Sequence, residues 1–126
     1  MNALIHPPAR LDISHFATPE QIPAVRRPLN QAALLPASFY ADPRSHALDV
    51  EKLFMRHWLP VARTSELPEP GSYFAREMFG EPILLTRDEH GEIHAFTNVC
   101  RHRNRVIVEG HGTCKGALTC PYHGWS

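Results

Sequence analysis

Hydrophobic and polar positions along this 126-residue chain fall into three regimes. Over residues 1–38 no period holds, because six prolines (7, 8, 19, 23, 28 and 36) interrupt it and no glycine occurs. Proline fixes φ and removes a backbone donor, so this density predicts an extended or disordered arm without long helices or ladders. Over residues 39–57 the pattern turns helical. Asp42-Pro43 reads as a helix start, an acidic cap followed by proline in the first turn, and Asp49 is a second candidate cap. Val50, Leu53, Phe54, His57 and Trp58 then recur at i, i+3, i+4, i+7 and i+8, one apolar stripe expected to pack on the domain that follows. In that stripe His57 reads as a packing residue rather than a ligand.

From residue 58 to 126 short apolar runs alternate with turn signals, which predicts an all-β domain. Strands are expected near Leu59–Arg63, Tyr73–Met78, Ile83–Arg87 and Ile93–Thr97, with Val106–Val108 a further candidate. Leu67-Pro68-Glu69-Pro70-Gly71 makes the first turn, and Asp88-Glu89-His90-Gly91 a hairpin loop in which Gly91 is free to take positive φ. Gly110, Gly112 and Gly116 mark a connection, after which Ala117–Thr119 leads onward. The fold class is a small antiparallel β domain preceded by an arm and a short helix. There is no internal repeat, P-loop or dinucleotide fingerprint.

Composition narrows the function without naming it. A 43% hydrophobic content suits a globular core, and 21% charged is ordinary. A formal net charge of zero gives no support to nucleic acid or an anionic membrane as partner. No apolar run approaches the roughly 18 residues of a membrane span, and prolines and charges interrupt any secretory signal. Arg26-Arg27 is followed by a stretch too short and polar for an export signal. Three cysteines, an odd number, fit a reducing and hence cytoplasmic compartment.

Chemistry concentrates near the end. Cys100-Arg101-His102 and Cys120-Pro121-Tyr122-His123 each offer one thiolate and one imidazole, with seventeen residues between them. Such a set can serve one metal or two. Structural zinc takes Cys pairs two to four residues apart and His pairs three to five apart. Cys100 and His102 are only two apart and must bend sharply to share one small tetrahedral ion. The strain disappears if the cysteines bind one iron and the histidines its neighbour across bridging sulfides, the Rieske arrangement of a [2Fe–2S] centre.

The run Asn98-Val99-Cys100-Arg101-His102-Arg103, with Cys120-Pro121-Tyr122-His123-Gly124-Trp125, resembles the Rieske domain of ring-hydroxylating (Rieske non-haem iron) oxygenase alpha subunits. The match runs in looser form from about Phe39 to the C-terminus. The resemblance implies a [2Fe–2S] cluster on Cys100, His102, Cys120 and His123. It also implies a ferredoxin or a flavin/NAD(P)H reductase as electron donor, a homo-oligomer at full length, and O₂-dependent hydroxylation of an organic substrate. In that family more strands complete the Rieske domain, and a further domain holds a mononuclear non-haem Fe(II) in a two-His, one-carboxylate set. Nothing here matches that set, since His90 and His94 span a turn and a strand. The chain therefore reads as an N-terminal portion, its Rieske domain incomplete at Ser126. Respiratory-chain Rieske proteins join their loops by a disulfide, and the matching positions here are Arg105 and Tyr122. A stand-alone Rieske-type ferredoxin is the alternative, disfavoured by the 57 residues spent on arm and helix. A zinc-binding module is a further one, disfavoured by the Cys-x-His spacing.

The charge of such a cluster follows from its parts. Two Fe³⁺, two sulfides and two thiolates with neutral imidazoles sum to zero, so adding one electron is easier than for an all-cysteine cluster. Reduction also raises the basicity of the ligand imidazoles. Around the ligands, Arg101, Arg103 and Arg105 either stabilise the reduced state and attract an acidic donor, or are simply solvated. Asn104 stands where the family usually has glycine, and asparagine is among the residues most tolerant of the left-handed region. Tyr122 is a candidate hydroxyl donor toward a sulfur, and Trp125 a cover beneath the loop. His6, His15, His46, His90 and His111 read as bystanders. So does Cys114, a free thiol rather than a ligand.

Overall fold

A computed structural model describes residues 12–126, so His6 and the first prolines of the arm lie outside the described residues. The chain divides into two compact units, the first ending at Leu59 and the second spanning Pro60–Ser126.

In the first unit the arm departs from the extended form expected of it. Asp12 accepts a hydrogen bond from Ser14 N at 2.8 Å and opens a 3-10 turn, Ile13–His15. Helix α1 spans Gln21–Val25 and helix α2 spans Ser38–Ala41. Pro23 falls in the first turn of α1, where a backbone N–H has no helical partner to lose. Phe16 is buried against Phe39 with ring centroids 5.7 Å apart. The Ser38 hydroxyl donates to the Phe16 carbonyl at 2.5 Å. This aromatic pair gives the segment a small core of its own, which the proline count alone conceals.

Helix α3, Pro43–Lys52, starts as the sequence predicts, with the Asp42 carboxylate accepting from Arg44 N at 2.9 Å. It then stops early, and a 3-10 turn, Phe54–Arg56, follows. A 3-10 turn advances about 120° per residue against about 100° in an α-helix, so later residues leave the face that carries Val50. The predicted stripe therefore does not assemble: Leu53 is 47% exposed and Trp58 is fully exposed. His57 Nδ1 lies 2.7 Å from the Leu53 carbonyl. That oxygen can only accept, so the imidazole donates to a carbonyl at the helix end.

The second unit is built on four strands, β1 Ser72–Met78, β2 Glu81–Arg87, β3 Ile93–Thr97 and β4 His111–Thr113. They form one sheet in the order β3-β2-β1-β4, and every neighbouring pair is antiparallel. Pairing of Met78 with Glu81 leaves Phe79-Gly80 as a two-residue turn, both at positive φ (54° and 85°), the primed geometry that matches strand twist. The β2–β3 turn is held by Asp88, whose Oδ1 accepts from His90 N at 2.9 Å and Glu92 N at 2.8 Å. Gly91 there takes φ 84°, as expected. Leu84 and Leu85, adjacent on β2 and so on opposite faces, are both buried, and Leu67 is 1% exposed.

Two expected β segments are not strands. Leu59–Arg63 is unpaired; its Val61 carbonyl accepts from Arg76 Nη1 at 2.7 Å, a side chain in place of a ladder. Val106–Val108 contributes only an isolated bridge between Val99 and Val106. Ala117–Thr119 runs unpaired into the second cysteine loop. Conversely, the glycine-bearing stretch at 111–113 is strand β4. Gly112 pairs with Tyr73, and a Cβ at Gly112 would sit 2.9 Å from the Tyr73 hydroxyl oxygen. Glycine here answers a close approach by an aromatic ring rather than a loop.

Candidate metal centre

Two loops of the second unit share one backbone frame. In the first, Cys100 N donates to the Arg105 carbonyl at 2.7 Å, and Asn104 N donates to the Cys100 carbonyl at 2.8 Å. In the second, Cys120 N donates to the Trp125 carbonyl at 2.6 Å, and Gly124 N donates to the Cys120 carbonyl at 3.0 Å. Each frame needs a left-handed residue four places after its cysteine, supplied by Asn104 at φ 53° and Gly124 at φ 72°. Asparagine accepts that conformation at small cost, so the loop closes without glycine.

Folding back in this way turns the sulfurs in and the rings out. Cys100 and Cys120 are 6% and 3% exposed, whereas His102 and His123 are exposed. The two imidazole centroids lie 4.8 Å apart. Trp125 of the second loop stacks on His102 of the first, 5.0 Å between centroids and 11° between planes. Trp125 thus ties the loops together across their tips rather than covering one from below.

The Cys120 thiol is held below its ordinary range. The backbone N–H of Tyr122 is the largest cause, followed by the Cys100 thiol, the His123 N–H and the charge of Arg105, with burial opposing them. Successive N–H groups aimed at one sulfur form an anion cradle, and a thiolate is the species that ligates metal. It is the amide of Tyr122, not its hydroxyl, that serves the sulfur. The phenol ring instead lies 3.8 Å from the His123 ring, centroid to centroid.

Asn98 is a positioning residue whose role the sequence left unread. It is 2% exposed, its Nδ2 donates to the Val108 carbonyl at 2.7 Å, and its Oδ1 accepts from Val108 N at 3.3 Å. Its own N–H donates to the Pro82 carbonyl on β2 at 2.7 Å. One buried amide therefore joins both ends of the first loop to the sheet. A lone Asn beside a cysteine motif carries no periodic signal, so only its tertiary partners disclose this.

The remaining candidates stay apart from the loops. Cys114 donates its S–H to the Ala117 carbonyl at 3.3 Å, His111 is an exposed β4 residue, and all three cysteines are free thiols. Asp88, Glu92 and His94 have ligand atoms within 4.8 Å of one another. The Asp88 carboxyl is lowered first by the His94 side chain and then by the Glu92 N–H, which describes a stapled hairpin turn. No three of Cys100, His102, Cys120 and His123 approach one another that closely, so the set does not close around a single ion. Two buried thiols and two exposed, neighbouring imidazoles fit a centre with two irons, the thiols on one and the imidazoles on the other.

Residues 57–126, more than half of the chain, match the family model of the Rieske [2Fe-2S] domain, and the chain belongs to that family. It is similar to the carnitine monooxygenase oxygenase subunit of Escherichia coli (strain K12), 40% identical over 96 residues, covering 76% of this chain and 26% of that protein. It is also similar to the glycine betaine monooxygenase oxygenase subunit of Chromohalobacter salexigens, 43% identical over 93 residues, covering 73% of this chain and 21% of that protein. A crystal structure of a quaternary ammonium Rieske monooxygenase in complex with L-carnitine superimposes with a TM-score of 0.68 at 37% identity, covering 75% of this chain and 27% of that one. The chain thus spans about a quarter of the length of the relatives it matches. Among the described residues, no helix is long and apolar enough to cross a membrane.

Proposed function

We propose that Cys100 and Cys120 hold one iron of the [2Fe–2S] cluster and that His102 and His123 hold the other. The domain is then the electron-entry module of an oxygenase subunit. The observation that carries this is the shared loop frame, which buries both sulfurs and sets two imidazoles 4.8 Å apart at the surface. When bound, the cluster takes up one electron and passes it on. The chain's own residues prepare for that. The Tyr122 and His123 amides lower the Cys120 thiol toward its ionised form, burial keeps water from the sulfurs, and Trp125 stacks on the His102 ring.

Relatives that are carnitine and glycine betaine monooxygenase oxygenase subunits support an alkyl quaternary ammonium substrate for the whole protein. They favour an oxygenase over a stand-alone ferredoxin. Residues 58–126 are the Rieske domain in this reading, behind the arm and helix. A mononuclear non-haem iron elsewhere in the protein completes the chemistry. Electrons arrive from a ferredoxin or a flavin/NAD(P)H reductase, the protein works as a homo-oligomer, and two ligand cysteines beside an unpaired Cys114 suit the cytoplasm.

The test is turnover of the full-length, iron-loaded protein with a reductase and O₂ on carnitine, glycine betaine, choline and naphthalene. Hydroxylation of a quaternary ammonium compound is expected. Turnover of naphthalene alone would overturn the substrate class, and absence of a cluster would overturn the domain assignment.

A further inference from the structure

His102 is seated differently from the histidines that hydrogen bonds hold elsewhere in the chain. His57 is held by the Leu53 carbonyl at 2.7 Å, and His94 by the Asp88 carboxylate at 2.8 Å. A histidine that ligates metal commonly gives its second ring nitrogen to such an oxygen, which fixes the plane of the ring. Among the described residues the His102 ring makes no hydrogen bond or ion pair. Its neighbours are two other rings, His123 at 4.8 Å and Trp125 at 5.0 Å between centroids. An exposed imidazole free to turn must be ordered, at an entropic cost, when it binds.

Trp125 is placed to do that ordering. Its carbonyl accepts from Cys120 N at 2.6 Å, so its backbone is pinned to a cysteine of its own loop. Gly124 before it takes φ 72°, and a Cβ there would meet nothing within 4 Å. Glycine at 124 thus serves the reversal of the chain and not a close contact. Beyond that reversal the indole reaches the other loop and lies 11° from the His102 plane. A separation of 5.0 Å at that angle is an offset stack, which favours the joined geometry by about two- to tenfold over an open ring. The Tyr122 ring, tilted 33° from His123, makes no such parallel contact.

We propose that Trp125 is a positioning residue for His102, setting the imidazole plane at the iron and keeping water from one face of the ring. The inference rests on the ligand assignment above and adds a residue that acts on one of those ligands from the opposite loop. Two effects then bear on the potential, both with the same sign. The negative face of the indole favours the more positive, oxidised ligand. Apolar cover favours the neutral oxidised cluster over the singly negative reduced one. Trp125 therefore lowers the potential of the centre, and its loss should raise it.

Full-length, iron-loaded protein labelled with ¹⁵N-histidine tests this in Trp125→Leu and Trp125→Phe. In the leucine variant, pulsed electron paramagnetic resonance should still show two histidine nitrogens, with the coupling of one of them changed. Its reduced-to-oxidised ratio, poised against one redox mediator, should rise by about threefold or more. The phenylalanine variant keeps a stacking ring and should stay near the unmutated protein in both readouts. A leucine variant equal to the unmutated protein, or a phenylalanine variant displaced as far as leucine, overturns the proposal and leaves the cluster assignment intact. No histidine coupling in the unmutated protein overturns the assignment and the proposal with it. Cluster-free full-length protein gives a second readout that does not depend on cluster assembly in either variant. There a His102 ring proton, identified by its absence from His102→Gln, should resonate upfield in ¹³C-histidine spectra and move back in Trp125→Leu. Equal resonances in the two proteins overturn the proposal.

Discussion

Replacing Asn98 with alanine removes a side chain that is 2% exposed and makes two hydrogen bonds to Val108, at 2.7 and 3.3 Å. The Val108 N–H and C=O lose their partners together, and each buried group left unpaired costs about 1–3 kcal/mol. Val108 is only half-buried, so water recovers part of that loss. The small void left by the amide adds to it, and the net destabilisation comes to about 2–4 kcal/mol. Because Asn98 and Val108 bracket Cys100–Arg105, the first loop should loosen as well, and iron should leave the variant faster under a chelator. Urea denaturation with an unchanged slope reads the first effect, and loss of visible absorbance over time reads the second. Stability within about 0.5 kcal/mol of the unmutated protein, with equal iron retention, refutes the clamp. Asn98→Asp, which keeps an acceptor but buries a charge, should fare worse than alanine.

Asn104→Gly should leave stability unchanged or slightly raised. Asn104→Val forces a β-branched residue to φ 53° and should cost about 1–2 kcal/mol in denaturant titrations. Gly112→Ala places a methyl 2.9 Å from the Tyr73 hydroxyl oxygen and should lower the midpoint of thermal unfolding, with the loss largely relieved in a Tyr73→Ala background. The Asp42 carboxyl is lowered to about 2, first by the Arg44 side chain and then by the Arg44 N–H. A carboxylate depressed in the folded state contributes stability above its unfolded pKa and loses it as pH falls through the folded one. Far-ultraviolet dichroism should therefore hold from neutrality to about pH 4 and decline toward pH 2, and Asp42→Asn should reduce that step, the lowered Asp88 and Glu51 carboxyls keeping their share. Cys100→Ser and Cys120→Ser should each abolish the cluster, whereas His123→Cys should keep one at a lower potential, read by redox titration.

How much of this was visible in the chain depends on where the determining contacts lie. The Asp42-Pro43 helix start, the strands at 73–78 and 93–97, and the left-handed tolerance of Asn104 are local, and the structure has them as expected. The apolar stripe failed because the helix stops at Lys52, a tertiary outcome that side-chain period does not encode. The arm's small core depends on Phe16 meeting Phe39 across twenty-two intervening residues. Strand β4 hid behind Gly112, whose reason is a Tyr73 ring thirty-nine residues away. At the loops, ligand types and spacing were legible, and so was the Rieske resemblance. The Asn98 clamp, the stacking of Trp125 on His102 and the aim of the Tyr122 amide all arise only when the two loops meet.

The central assignment is that His102 and His123 ligate one iron while Cys100 and Cys120 ligate the other. Pulsed electron paramagnetic resonance of the reduced full-length protein, labelled with ¹⁵N-histidine, reads it most directly. The account predicts two directly coordinated imidazole nitrogens on the ferrous site, one of them lost in His102→Cys and the other in His123→Cys. Couplings from fewer than two histidines, or stoichiometric zinc without labile sulfide, would contradict it.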